Sequence, residues 1–335
     1  MTKFLIIGPA WIGDMVMAQG LFMSLKQQHA KAKIDVIAPD WTRPLLERMS
    51  EVDKILPLPF KHGEFSLKKR WDLGKSLRAE NYDEAIVLPN SWKSAIIPYA
   101  AGIPKRTGWR GEMRFGLLNN MLSLNKKKYP LMIERFTALG NSSSIEKIKF
   151  SFPRLMVNPD LQKAALQKYH LYPGKPVIAL CPGAEFGASK RWPETYYAQT
   201  AQYLLDKNFN VWLMGSLNDK VITDHIQALT QHRCENLAGR TSLSEAIDLL
   251  SLVSLVITND SGLMHIAAAL GKPLIALYGS TDPGFTPPLS DTAKILSINL
   301  PCRPCFQREC PLKHHRCMQA LLPAQVFQVF EQCMY

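Results

Sequence analysis

Three short segments carry side chains able to do chemistry. In Gly8-Pro9-Ala10-Trp11-Ile12-Gly13-Asp14 a glycine-bearing turn presents one carboxylate where a helix begins. The G-x4-G spacing is that of a phosphate-binding loop, yet Asp14 stands where such a loop needs lysine, and a carboxylate there repels phosphate. Asp14 is therefore either a helix cap or a general base able to take a proton from a hydroxyl. The second segment, Cys181 to Pro193, holds Gly183, Gly187, Lys190 and Arg191 ahead of a proline suited to a first helical turn. Exposed amides beside Lys190 and Arg191 suit a diphosphate, the alternative being a solvated Lys-Arg pair. In the third, Thr258-Asn259-Asp260-Ser261-Gly262-Leu263-Met264-His265, Asp260 or Ser261 can cap a helix starting near Gly262 and leave its amides for an anion. Asp260 can instead accept from ribose hydroxyls, and His265 is either part of that site or a structural histidine.

The cations are unevenly placed. The chain has 40 Lys+Arg against 28 Asp+Glu, a net +12, of which +10 falls in residues 1–150. Lys61, Lys93, Arg106 and Arg110 belong to that basic half, and arginines suit bidentate capture of carboxylate or phosphate. Such a half should face something anionic: nucleic acid, acidic lipid or a polyanionic substrate. No RNA-recognition signature or zinc-finger pattern accompanies the charge, so nucleic acid is not expected as a partner. The dinucleotide fingerprint G-x-G-x-x-G is missing, which argues against a nicotinamide enzyme. No Asp-x-Asp triplet occurs, so a sugar nucleotide is expected to be held by cations and amides, with no metal or other cofactor. Seven cysteines include Cys302, Cys305, Cys310 and Cys317, with His314 and His315 between them; these are either a zinc site or free thiols.

The positioning elements follow from hydrophobic pattern. Apolar runs at 4–7, 34–37, 54–56 and 85–88 alternate with helical stretches, and the alternation resumes with runs at 176–180, 211–214, 255–257 and 274–277. Such alternation reads as α/β, with two Rossmann-like doubly wound domains, expected at 1–160 and 172–318. At 335 residues, 47% hydrophobic and 20% charged, the chain has the size and balance of two globular domains. The N-terminal apolar run is short and stops at Gly8-Pro9, so no leader and a cytoplasmic location are expected. Ligands of open parallel sheets bind beyond the carboxyl ends of the strands, so two facing sheets would place the site in an inter-domain cleft.

GPAWIGDMVMAQ, LPNSWKSA at 88–95, GIPKRTGWRGEMRFGLLN at 102–119, CPGAEFGASKRWP and TNDSGLMHIAAAL together resemble the lipopolysaccharide ADP-heptose heptosyltransferases. The likeness is strongest to members that add the second inner-core heptose. It implies a GT-B fold with a C-terminal helix, about 322–335, returning to the first domain. It implies inverting, metal-free transfer from ADP-L-glycero-D-manno-heptose to heptosyl-Kdo2-lipid A, with Asp14 as base and Lys190 on the diphosphate. Asp260, Ser261, Gly262 and His265 match the donor-binding stretch, and Thr241 falls near the adenosine pocket. Relatives carry a Thr-Thr pair where this chain has Gly183-Ala184, which passes the hydroxyl contacts to backbone amides or Ser189. The acceptor's carboxylates and phosphates would meet Lys61, Lys93, Arg106 and Arg110, and the same field would draw the protein to an anionic inner-membrane surface. A first-heptose transferase or a GT-B sugar-nucleotide epimerase is the alternative.

Overall fold

The structure is a computed structural model that describes residues 1–60, 64–141, 148–172 and 174–334. The chain divides into two units, Met1–Pro153 and Arg154–Tyr335. Each is built on one six-stranded, wholly parallel sheet.

The first sheet comprises β1 (Lys3–Ile7), β2 (Lys33–Ala38), β3 (Lys54–Pro57), β4 (Glu84–Val87), β5 (Lys105–Trp109) and β6 (Asn120–Leu122), ordered β3-β2-β1-β4-β5-β6. Phe4 to Ile7 are buried on both faces, as the unbroken apolar run requires of a central parallel strand. The second sheet comprises β7 (Val177–Cys181), β8 (Asn210–Leu213), β9 (Glu235–Asn236), β10 (Leu255–Asn259), β11 (Leu274–Tyr278) and β12 (Ala293–Ser297). Its order, β12-β11-β10-β7-β8-β9, is the same arrangement repeated. In both units the first and fourth strands pair at the centre, β1 with β4 and β7 with β10. There successive connections leave in opposite directions, which opens a crevice beyond the carboxyl ends of those two strands.

Four strands lack a run of apolar residues. β5 (KRTGW) has a polar start, β6 and β9 are short, and β12 is an edge strand with exposed side chains. Between the sheets in sequence, helix Pro159–Lys168 starts where the Asn158 side chain accepts from the Asp160 N–H at 2.8 Å and Pro159 takes the first helical position.

The C-terminal helix, Pro323–Met334, packs within the second unit. Its partners are helix Glu194–Asp206 and β11. Tyr203 stacks on Phe327 at 4.1 Å between centroids, and Phe330 meets Phe209 edge-on at 5.4 Å. The indole N–H of Trp192 donates to Leu321 O just before this helix. The apolar face of Val326 and Phe330 thus completes the second core. Phe330→Ala should cost about 3–5 kcal/mol through the cavity it leaves. Chemical denaturation should show that loss; a change below about 1 kcal/mol would deny the helix its place in the core.

Candidate active site

Each unit gathers functional side chains at the crevice between its two central strands. In the second unit the loop after β7 meets the turn after β10. Lys190 Nζ lies 2.6 Å from Asp260 Oδ2, with both side chains largely buried. Thr281 Oγ1 donates to the same carboxylate oxygen at 2.6 Å. The ammonium also sits 4.8 Å from the Phe186 ring centroid. A lysine has three donors, and this carboxylate oxygen engages one of them.

Ser261 occupies the N-cap position of helix Gly262–Ala269, but neither its hydroxyl nor the Asp260 carboxylate caps the helix. The first amides of that helix keep their hydrogen-bonding capacity toward an anion. His265, one turn in, is buried, and loss of hydration pushes its imidazolium down to about 4. Asp260 opposes that shift and Lys190 reinforces it, so the ring is neutral at neutral pH.

The Lys190 loop is held from behind by the cysteine-rich segment. Ser189 N donates to Arg308 O at 3.1 Å, while its hydroxyl meets Ser280 Oγ at 2.9 Å and donates to Gln307 O. A Cβ on Gly187 would stand 2.3 Å from Arg308 O, so only glycine admits that close approach. Gly183 is explained likewise: its missing Cβ leaves room for the Asp219 carboxylate, which caps Ser216 N at 2.9 Å. Its glycine serves that packing. Thr241 follows β9 and donates to Leu237 O at 3.5 Å.

Cys302, Cys305 and Cys310 lie near enough to Cys317 to raise its thiol pKa, after desolvation, although no group of three His, Cys, Asp or Glu side chains among the described residues meets the geometry of a metal site. None of the four is in a disulfide, and Cys317 is buried in the second core. Desolvation opposes ionisation of Cys310, yet backbone N–H groups of His315, Leu312, His314 and Lys313 draw its thiol below the ordinary value. The segment buttresses Ser189 and Lys190 through its backbone carbonyls, a role that spacing arguments about thiols could not anticipate.

In the first unit Asp14 lies in the first turn of helix Ile12–Gln28, three residues past the N-cap residue Trp11. It is therefore not the cap, though the helix dipole favours its charge there. Asp14 lines a cavity of about 460 Å³ formed beyond the carboxyl ends of the central strands. Among the described lining residues it is the one carboxylate, and Lys93, Arg70 and Arg135 are the cations.

The basic residues have separate fates. Lys93 reaches the cavity as expected. Arg106 does not: at the amino end of β5 its guanidinium donates to Leu117 O and Ile103 O. Arg110 is exposed after β5 and falls outside the described lining. Lys61 lies outside the described residues. Arg70 and Arg135 also line the cavity, from helices whose sequence reads as ordinary. Arg70 donates to Phe65 O and Glu64 O, lies 4.2 Å from the Phe60 ring, and has its pKa lowered by desolvation. Arg114, almost wholly buried, donates to Pro89 O at 2.7 Å and to Trp109 O, tying the loops after β4 and β5 into the cavity wall.

The His265 shift has a defined pH consequence. Its folded pKa, about 4, lies below the ordinary 6.5, so between those values the unfolded chain binds the extra proton. Its contribution is complete above pH 6.5 and is lost as pH falls toward 4, up to about 3 kcal/mol. Denaturation at pH 7 and pH 4.5 should show that slope in the native protein and a flatter one in His265→Gln; equal slopes would remove the histidine from this role.

The family described as glycosyltransferase family 9 (heptosyltransferase) matches residues 70–316. Lipopolysaccharide heptosyltransferase 2 of Escherichia coli strain K12 is 47% identical over 306 residues, 88% of either chain. Lipooligosaccharide heptosyltransferase 2 of Haemophilus influenzae is 50% identical over 308 residues, again 88% of each. The solved structure of E. coli ADP-heptose lps heptosyltransferase II matches with a TM-score of 0.89 at 41% identity, covering 99% of this chain and 98% of that one. The two doubly wound units are those of a GT-B glycosyltransferase. No helix among the described residues is long and apolar enough to cross a membrane. The chain belongs to glycosyltransferase family 9, the heptosyltransferases.

Proposed function

We propose that the protein moves L-glycero-D-manno-heptose from ADP-L-glycero-D-manno-heptose to heptosyl-Kdo2-lipid A, the second heptose of the lipopolysaccharide inner core, with inversion and without a metal. The observation that carries this reading is the first unit's cavity, where one carboxylate, Asp14, stands among Lys93, Arg70 and Arg135. A saccharide bearing carboxylates and phosphates suits such a wall, and one carboxylate is what an inverting displacement needs on the attacking side. Four relatives named heptosyltransferase 2, at 47–50% identity, support the choice of donor and acceptor.

The donor's diphosphate is assigned to Lys190 and the first amides of helix Gly262–Ala269. As the bond to the anomeric carbon breaks, negative charge grows on the departing ADP, and these donors stabilise it. Asp14 takes the proton of the attacking hydroxyl. The absence of an Asp-x-Asp pair in the sequence fits charge neutralisation by these groups. Ser189 and His265, beside the Lys190–Asp260 pair, are assigned to the donor side, and Thr241 to the adenosine. The acceptor is lipid-borne, so the protein works from the cytoplasm at an anionic inner-membrane surface, drawn there by the positive first half.

Purified protein mixed with ADP-heptose and heptosyl-Kdo2-lipid A should release ADP and add one heptose to the acceptor mass; no mass gain would refute the assignment. Asp14→Asn should lower kcat about 10²–10⁴-fold with donor affinity nearly unchanged. Lys190→Ala should weaken donor binding and also lower kcat, by about 10²–10³-fold. An Asp14→Asn enzyme within a few-fold of the native rate would remove the carboxylate from catalysis.

A further inference from the structure

We propose that an apolar groove on the first unit is the docking face for an anionic phospholipid bilayer. The groove, of about 430 Å³, is lined by Leu67, Lys68, Trp71, Trp92, Ile96 and Leu117. Its surroundings are a connected aromatic surface. Phe65 stacks on Trp92 with centroids 5.9 Å apart and planes 16° from parallel, and Trp71 meets Tyr99 at 5.9 Å. The Trp92 N–H donates to Glu112 Oε2 at 2.8 Å, tying the next segment beside the groove. That segment carries Met113 and Phe115, 80% and 66% exposed. Large apolar side chains grouped this way on a soluble surface mark a binding face.

The rim decides the occupant. Lys68 lines the groove, Lys69 next to it in sequence is exposed and paired with Glu64 at 3.4 Å, and the Arg106 guanidinium lies 5.4 Å from the Tyr99 ring centroid. Aromatic bodies rimmed by cations match the boundary of an anionic membrane, where rings enter the headgroup region and lysines meet phosphates. A second copy would bring the same positive rim against itself. Placement agrees: helix Leu67–Ser76 sends Leu67 and Trp71 to the groove and Arg70 to the Asp14 cavity, while Trp92 and Lys93 divide the same way. A lipid-anchored acceptor would then present its saccharide to Asp14 from the bilayer beside it, and in this the inference rests on the proposed reaction.

The test is sedimentation of the full chain with phosphatidylglycerol–phosphatidylcholine vesicles and with pure phosphatidylcholine vesicles at low salt. The native protein should sediment with the anionic vesicles. A Met113→Ser/Phe115→Ser double variant should bind them about tenfold or more weakly, with unchanged circular dichroism and Tm, since both side chains are exposed. Lys68→Ala/Lys69→Ala should lose the preference for anionic lipid. On a deacylated, water-soluble acceptor the double variant should keep the native rate; on acceptor embedded in vesicles it should fall. Equal vesicle binding by native and double-variant protein, or none by either, overturns the proposal. So does a dimer in solution that the double variant dissolves. If neither acceptor is glycosylated while the vesicle difference persists, the reaction is wrong and the docking face stands.

Discussion

The buried contact between Lys190 and Asp260 sets what the second unit can do. Taking both charges out of water costs more than an isolated attraction returns, so the pair persists only with further hydrogen bonds. Thr281 supplies one to the carboxylate, and the Phe186 face lies beside the ammonium. What the pair contributes is placement. A lysine chain loses much rotational freedom when fixed. Here that loss is met during folding, leaving less for the bound anion to order. The neighbouring His265, kept neutral by burial, adds no positive charge that would compete for Asp260.

The first unit uses its cations differently. Arg114, Arg106 and Arg70 each spend guanidinium donors on backbone carbonyls of loops. A loop carbonyl pulled from water needs a donor, and the five N–H groups of arginine can serve several at once. The positive half of the sequence is therefore partly internal scaffolding. This explains why Arg106, a natural candidate on charge alone, sits away from the cavity, whereas Arg70 and Arg135 do line it. Their donors hold loops as they face the cavity, so the wall's shape and its charge depend on the same side chains.

Much of the architecture was legible because buried parallel strands demand continuous apolar runs. β1, β7, β10 and β11 announce themselves this way, and the functional turns follow three of them directly. β5 was hidden by its Lys-Arg start, and β12 by being an edge. The pairing of Lys190 with Asp260 joins residues 70 apart in sequence, so no local spacing shows it. It follows only once β7 is known to lie beside β10. The C-terminal helix illustrates the opposite limit: an apolar face says that a helix must pack, and leaves open which core it completes.

The cysteine-rich segment has a packing role that its residue types do not reveal. Its contacts to the Lys190 loop come from the carbonyls of Gln307 and Arg308 and from the room left by Gly187. Arg303 anchors the segment's start by donating to Gly279 O, Ile298 O and Thr281 O. Thr281 is also the hydroxyl donor to Asp260. The same short stretch after β11 thus receives the anchor of the buttress and steadies the ion pair. A change in this segment would reach Lys190 by two routes, through Ser189 and through Thr281. Coupling of that kind needs only contiguous hydrogen bonds, and it makes the segment a structural support of the Lys190–Asp260 pair.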